Sequence, residues 1–157
     1  NEVLKLIEDE YDLDLIFREI SIELNKQLYN KSIDIGLLEE KVKKLAKVKE
    51  LSSQKYQKII MNLTFNYDLS QTSKDIINKL SFSSNEKFNS NSLHNLLLAE
   101  KYSKKQDLFN STKFFFETLG NKSFNNLTIL ESYKILLILR NLGFEKELRR
   151  ISIKLTQ

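Results

Sequence analysis

Only one of the 157 side chains is a histidine and none is a cysteine, so the chemistry open to this chain is narrow from the outset. Thiolate metal sites, disulfide scaffolds and Cys nucleophiles all need sulfur that is not there. His94 has no second His or Cys with which to hold a metal. As a general base it would need a carboxylate beside it, such as Glu100. Its place in the first turn of an expected helix suits a surface or capping role better. The acidic run Glu8, Asp9, Glu10, Asp12 and Asp14 supplies oxygens for calcium. A calcium loop also needs a glycine at its sharp turn, and here Tyr11 and Leu13 interrupt the run with apolar groups at helical spacing. Gly36, Gly120 and Gly143 stand too far apart to build a phosphate loop. No cofactor or metal is therefore expected. An enzyme would have to rest on paired carboxylates that no spacing nominates.

Two clusters have the composition of contact surfaces. Phe114-Phe115-Phe116 spans about 200° of a helix, so one narrow seam cannot hold all three rings. Arg140, Lys146, Arg149, Arg150 and Lys154 concentrate positive charge near the C-terminus. A nucleic-acid module usually adds aromatic or glycine-rich elements and a recognition helix, and neither is evident. Five Asn-x-Ser/Thr sequons, at Asn30, Asn62, Asn110, Asn121 and Asn126, are what 15 Asn among many Ser and Thr produce by chance.

The net charge of +4 is unevenly spread. Residues 1–25 carry eight acids and two bases, residues 26–100 twelve bases and eight acids, and residues 101–157 eleven bases and five acids. Only four of the 25 basic residues are Arg. Heavy use of Lys, Asn, Ile and Ser is what an AT-rich coding sequence yields. The longest aliphatic run, Ile135 to Leu139, is far short of the ~20 residues of a membrane span. The chain does not begin with Met, so it reads as an excised domain or a processed chain, cytoplasmic or exported after signal removal.

The elements that must position these residues are helices. A short helix is expected over 2–10, with Val3, Leu6 and Ile7 inward. Another over 13–29 carries Leu13, Ile16, Phe17, Ile20, Leu24 and Leu28 on one face, with Asp12 as N-cap. A helix from Ile35 carries Leu38, Val42, Leu45, Val48 and Leu51, and Ser52-Ser53 either breaks it or is absorbed into it. The next runs through Tyr56, Ile59, Ile60 and Leu63. Residues 64–70 form a connection, and Ser70 or Thr72 caps a short helix with Ile76, Ile77 and Leu80. Ser81–Ser92, with five Ser and three Asn, is the expected linker. It separates an N-terminal segment (1–80) from two helical hairpins (93–157) in what is expected to be one continuous packed unit.

In the C-terminal part, Leu93, Leu96, Leu97 and Tyr102 mark one helix, and Leu108, Phe109, Phe115 and Leu119 the next. Gly120 stands at its C-terminal stop. Thr128 and Glu131 form a capping box ahead of a helix through Tyr133, Leu136, Leu137 and Leu139 that stops at Gly143. Leu148, Ile151 and Leu155 belong to the last. At an offset of 40, seven apolar pairs match, Leu96 with Leu136 and Leu108 with Leu148 among them, which suggests a repeated hairpin. Asn141-Leu142-Gly143-Phe144, followed by Leu148 and Ile151, resembles the inter-helix turn of tetratricopeptide-type α-solenoid repeats. The resemblance covers 93–157 and implies a curved hairpin array that binds a partner protein or peptide.

The expected protein is all-α, with seven or eight helices packed as antiparallel hairpins in a short α-solenoid or an irregular bundle. Its expected function is non-catalytic: a protein–protein interaction or scaffold domain of a larger chain or complex, with a groove that receives a helix or peptide. Phe114, Phe116, Tyr133, Arg149 and Arg150 are the expected contacts. The alternatives are a nucleic-acid-associated domain using the basic C-terminal hairpin and an enzyme with a carboxylate site.

Overall fold

The computed structural model describes the backbone of residues 2–83, 90–120 and 123–157, and the side chains outside 1–11, 84–92, 121–122 and 125. The described residues form eight α-helices and one two-stranded parallel ribbon. The elements are α1 (Glu2–Asn25), α2 (Ile35–Lys44), β1 (Glu50–Leu51), α3 (Gln54–Asn66), α4 (Gln71–Lys79), β2 (Ser81–Phe82), α5 (Ser90–Lys104), α6 (Leu108–Leu119), α7 (Ile129–Asn141) and α8 (Glu145–Thr156). The chain divides into two compact units, Asn1–Ser83 and Ser84–Gln157.

In the first unit, Phe17, Ile20 and Leu24 recur every three to four residues and bury one stripe of α1. Two expected helices are in fact this single one: Asp12 lies inside it and caps nothing. Val3, Leu6 and Ile7 lie outside the described side chains. Leu28 leaves the stripe and is exposed, because the chain tightens into a 3-10 turn over Lys26–Tyr29. Three residues per turn shift the facing of every following side chain.

α2 opens on Asp34, whose side chain accepts from the Leu37 N–H, and it buries Leu38 and Val42. It is shorter than its apolar stripe implies. After Lys44 the chain makes a 3-10 turn over Leu45–Lys47, and Leu51 reaches the core from β1. Ser53 and Ser70 accept from the N3 N–H groups of α3 and α4. α3 runs on to Asn66, so the connection is shorter than 64–70.

β2 pairs in parallel with β1, Glu50 opposite Ser81 and Leu51 opposite Phe82. The buried Gln57 side chain clamps the pair, donating to the Leu51 carbonyl at 2.7 Å and to that of Ser83 at 2.8 Å. The first residues of the Ser/Asn-rich stretch are therefore held to the first unit. Residues 84–89 lie outside the described residues, and α5 begins at Ser90 rather than after Ser92.

Carboxylates tie the helices of this unit together. Glu23 of α1 accepts from the Asp34 N–H at 2.7 Å and pairs with Lys26. Glu39 of α2 accepts from the N–H of Ser70 and from the Ser73 hydroxyl on α4. Glu19 of α1 pairs with Lys41 of α2. Between them Leu38, Leu45, Ile59 and Leu63 are fully buried, and Tyr56 stacks on Phe17 with ring centroids 4.2 Å apart.

In the second unit, α5 packs on both α6 and α7, and α7 packs on α8. Two tight turns join the helix pairs, and they share one geometry. At Gly143 (φ 76°), the Gly143 N–H bonds the Arg140 carbonyl and the Phe144 N–H bonds that of Leu139. At Gln106 (φ 57°), the Gln106 N–H bonds the Ser103 carbonyl and the Asp107 N–H bonds that of Tyr102. Both are Schellman motifs.

The equivalent positions, 106 and 143, lie 37 residues apart, and the 12-residue helices that follow obey the same offset. Ser111, Phe115 and Thr118 of α6 are buried where Leu148, Ser152 and Leu155 of α8 are buried. The offset of 40 is thus corrected to 37. Under the former, exposed Leu108 would be paired with buried Leu148. The apolar letters match at 40, but the helix stops, which set the facing of each side chain, match at 37.

Candidate functional site

The residues that could meet a partner are best located by asking what each helix of the second unit leaves outside. α6 begins at Asp107, whose carboxylate accepts from the Asn110 N–H at 3.2 Å and from the Asn110 side chain at 2.8 Å. Those two bonds hold the Asp107 carboxyl below its ordinary pKa against a smaller opposing effect of burial. The cap sets the phase of the helix. Ser111, Phe115 and Thr118 turn inward. Phe109 and Phe116, two turns apart, turn outward with 78% and 64% of their surface exposed. Lys113 lies between them on the exposed side, Leu108 is exposed beside Phe109, and Glu117 flanks Phe116.

The inward side is built from small and polar groups. Ser111 donates to the Ala99 carbonyl at 2.9 Å, Ser103 is fully buried, and Ser103 accepts from the Asn141 side chain at 3.1 Å. The Ser111–Ala99 contact brings α6 close to α5 on this side.

Of the expected contacts, Phe114 is half-buried rather than exposed. Its ring stacks on Tyr102 at 5.8 Å, with the Lys113 ammonium 5.5 Å from its centroid. Phe115 takes the core position and meets Phe116 edge-on. Phe116, Tyr133, Arg149 and Arg150 are exposed. Phe109, which the sequence marks only as one of the apolar residues of this helix, is the most exposed large apolar side chain among the described residues. The signal that finds it is the Asp107 cap, which places Phe109 in the first turn and Phe116 seven residues on.

Charge on this unit is partly internal. Glu100 accepts from Lys134 at 2.6 Å, joining α5 to α7, and meets Lys104 at 3.4 Å. Burial works to raise the Glu100 carboxyl, but these two ammonium groups outweigh it and hold it below the ordinary glutamate value. Glu131 accepts from the Thr128 N–H and closes the capping box of α7. Lys154 lies 5.6 Å from the Phe124 ring centroid. Lys146, Arg149 and Arg150 remain on the exposed side of α8.

Among the described residues no His, Cys, Asp and Glu side chains gather as a metal site, and no helix is long and apolar enough to cross a membrane. His94 is exposed near the start of α5. The acidic run before Asp12 lies outside the described side chains. Of the sequons, Asn62 is fully buried and Asn110 is engaged with Asp107, while Asn30 and Asn126 are exposed and Asn121 lies outside the described residues.

Comparison with protein-family models, curated proteins and solved structures gave no match. The shared turn geometry and the 37-residue offset are consistent with a helical-hairpin repeat.

Proposed function

We propose that this chain is a protein–protein interaction module whose contact face is the outer side of α6. The observation that carries this reading is the pair Phe109 and Phe116, 78% and 64% exposed on one helix face. Two large rings two turns apart are what a partner helix needs as anchors, since aromatic side chains dominate the energetics of interfaces. Exposed apolar patches of this kind mark contact sites more often than single scattered side chains do. The two hairpins read as a short solenoid-like array of the tetratricopeptide type, which would present α6 on an extended surface.

The test is capture of partners from the source cell on the immobilised chain, with Phe109→Ser plus Phe116→Ser as control. A partner retained by the parent and lost by the double variant supports the module. Equal recovery by both places the contact elsewhere.

A polyanion-binding reading of α8 has narrower support. Lys146, Arg149 and Arg150 are exposed together, but Glu145 and Glu147 share the same helix. An electrophoretic shift abolished by Arg149→Glu plus Arg150→Glu would favour it over the α6 reading.

A further inference from the structure

We infer that the segment received by α6 is an acidic amphipathic helix of a partner protein, an inference that rests on the docking reading above and narrows it to one chemistry. Residues 93–157 hold eleven bases and six acids. The fold does not expose these two sets equally. Glu100 is held between Lys134 and Lys104, Asp107 caps α6, and Glu131 closes the capping box of α7. Half of the acids are therefore committed to internal bonds, and Glu117, Glu145 and Glu147 are the exposed remainder. On the basic side, Lys134 is half-buried in its ion pair with Glu100, and Lys104 meets the same carboxylate.

The surface left to a partner is thus more basic than the composition states, and the apolar face lies within it. Lys113 stands between Phe109 and Phe116, four residues from one and three from the other, so it shares their side of the helix. A helix docked across the two rings brings its flanking residues against Lys113. Carboxylates there gain a favourable contact and ammonium groups a repulsive one, so charge selects the partner while the rings hold it. Glu117 at the edge of the face opposes this in part, which confines the preference to the Lys113 side.

The experiment uses the full chain and three ~20-residue helical peptides, each with leucine at i, i+3, i+4 and i+7 and with Glu, Gln or Lys elsewhere, titrated by fluorescence anisotropy. The expected result is that the Glu peptide binds about tenfold or more tighter than the Gln peptide at low ionic strength, with the gap closing in high salt. Lys113→Gln should narrow that gap by weakening the Glu peptide more than the Gln peptide. Phe109→Ser plus Phe116→Ser should weaken both peptides. Lys113→Gln alters one exposed side chain and tests charge even if the double variant folds poorly.

Equal binding of the Glu and Gln peptides overturns the acidic partner and leaves the docking reading standing. Binding of none of the three overturns both. Tighter binding to vesicles of mixed phosphatidylserine and phosphatidylcholine than to the Glu peptide, lost in the double Phe variant, assigns the face to an anionic membrane and overturns the inference.

Discussion

Gln106 and Gly143 occupy the same position in successive hairpins, each with positive φ one residue beyond the helix C-cap, at φ 57° and φ 76°. One is the residue type that adopts this conformation freely. The other is held there by its own side chain, whose Nε2 donates to the Asn141 carbonyl at 2.6 Å. The same turn is thus closed by backbone freedom in one hairpin and by a cross-helix hydrogen bond in the other.

Gly143→Ala should therefore destabilise the chain by about 1 kcal/mol. Nothing lies within 4 Å of a Cβ at this position, so backbone strain is the whole effect. Urea denaturation followed by circular dichroism measures it, and an unchanged midpoint would contradict the left-handed assignment.

Removing one partner of the Glu100–Lys134 pair leaves a half-buried charge without its counterion. Glu100→Gln should destabilise by about 2 kcal/mol, in the range for a charged donor that loses its acceptor. Glu100→Gln combined with Lys134→Met should recover part of that loss. A double-mutant cycle with no coupling between the two positions would show that the pair contributes nothing.

Stability should fall in acid. Glu23 is held below its ordinary pKa first by the Asp34 N–H and then by Lys26, and Glu39 by the N–H and hydroxyl of Ser70. Glu100 is lowered as well, by Lys134 and Lys104 acting against burial. A carboxyl whose folded pKa is depressed contributes stability that is complete above its unfolded value and is lost as pH falls through the folded value. The thermal midpoint should hold from neutrality to about pH 5 and then decline below the ordinary glutamate value of 4.5. Glu23→Gln should flatten that decline, and a midpoint unaffected by acid would remove these three carboxylates from the account.

The triple phenylalanine should divide cleanly by position. Phe115→Ala empties a core site and should cost about 3 kcal/mol. Phe116→Ser and Phe109→Ser change exposed rings and should stay within about 0.5 kcal/mol of the parent. Thermal denaturation of the three variants checks the order; equal losses at all three would place Phe109 and Phe116 in the core.

Much of the helical framework is legible in the sequence alone. Thr128 and Glu131 made their capping box, Ser70 capped α4, and Gly143 stopped α7. Each of these involves residues within a few positions of one another, so spacing alone carries the information. The errors share the opposite property. Leu51 fitted the helical stripe of α2 but pairs in β1 with a strand 31 residues on (51 to 82). No local pattern encodes that partner or the Gln57 clamp that holds it.

The site shows the same division. By itself the sequence determined that the chain is helical, that it lacks the side chains for thiol or multi-histidine chemistry, and where several helices start and stop. The tertiary structure decided which apolar residues remain outside. Phe109 and Phe115 are equally hydrophobic, and only the cap at Asp107 and the close approach of α6 to the small residues of α5 send one outward and the other in. Burial is a property of what packs against a residue, and that is set by contacts far apart in the chain.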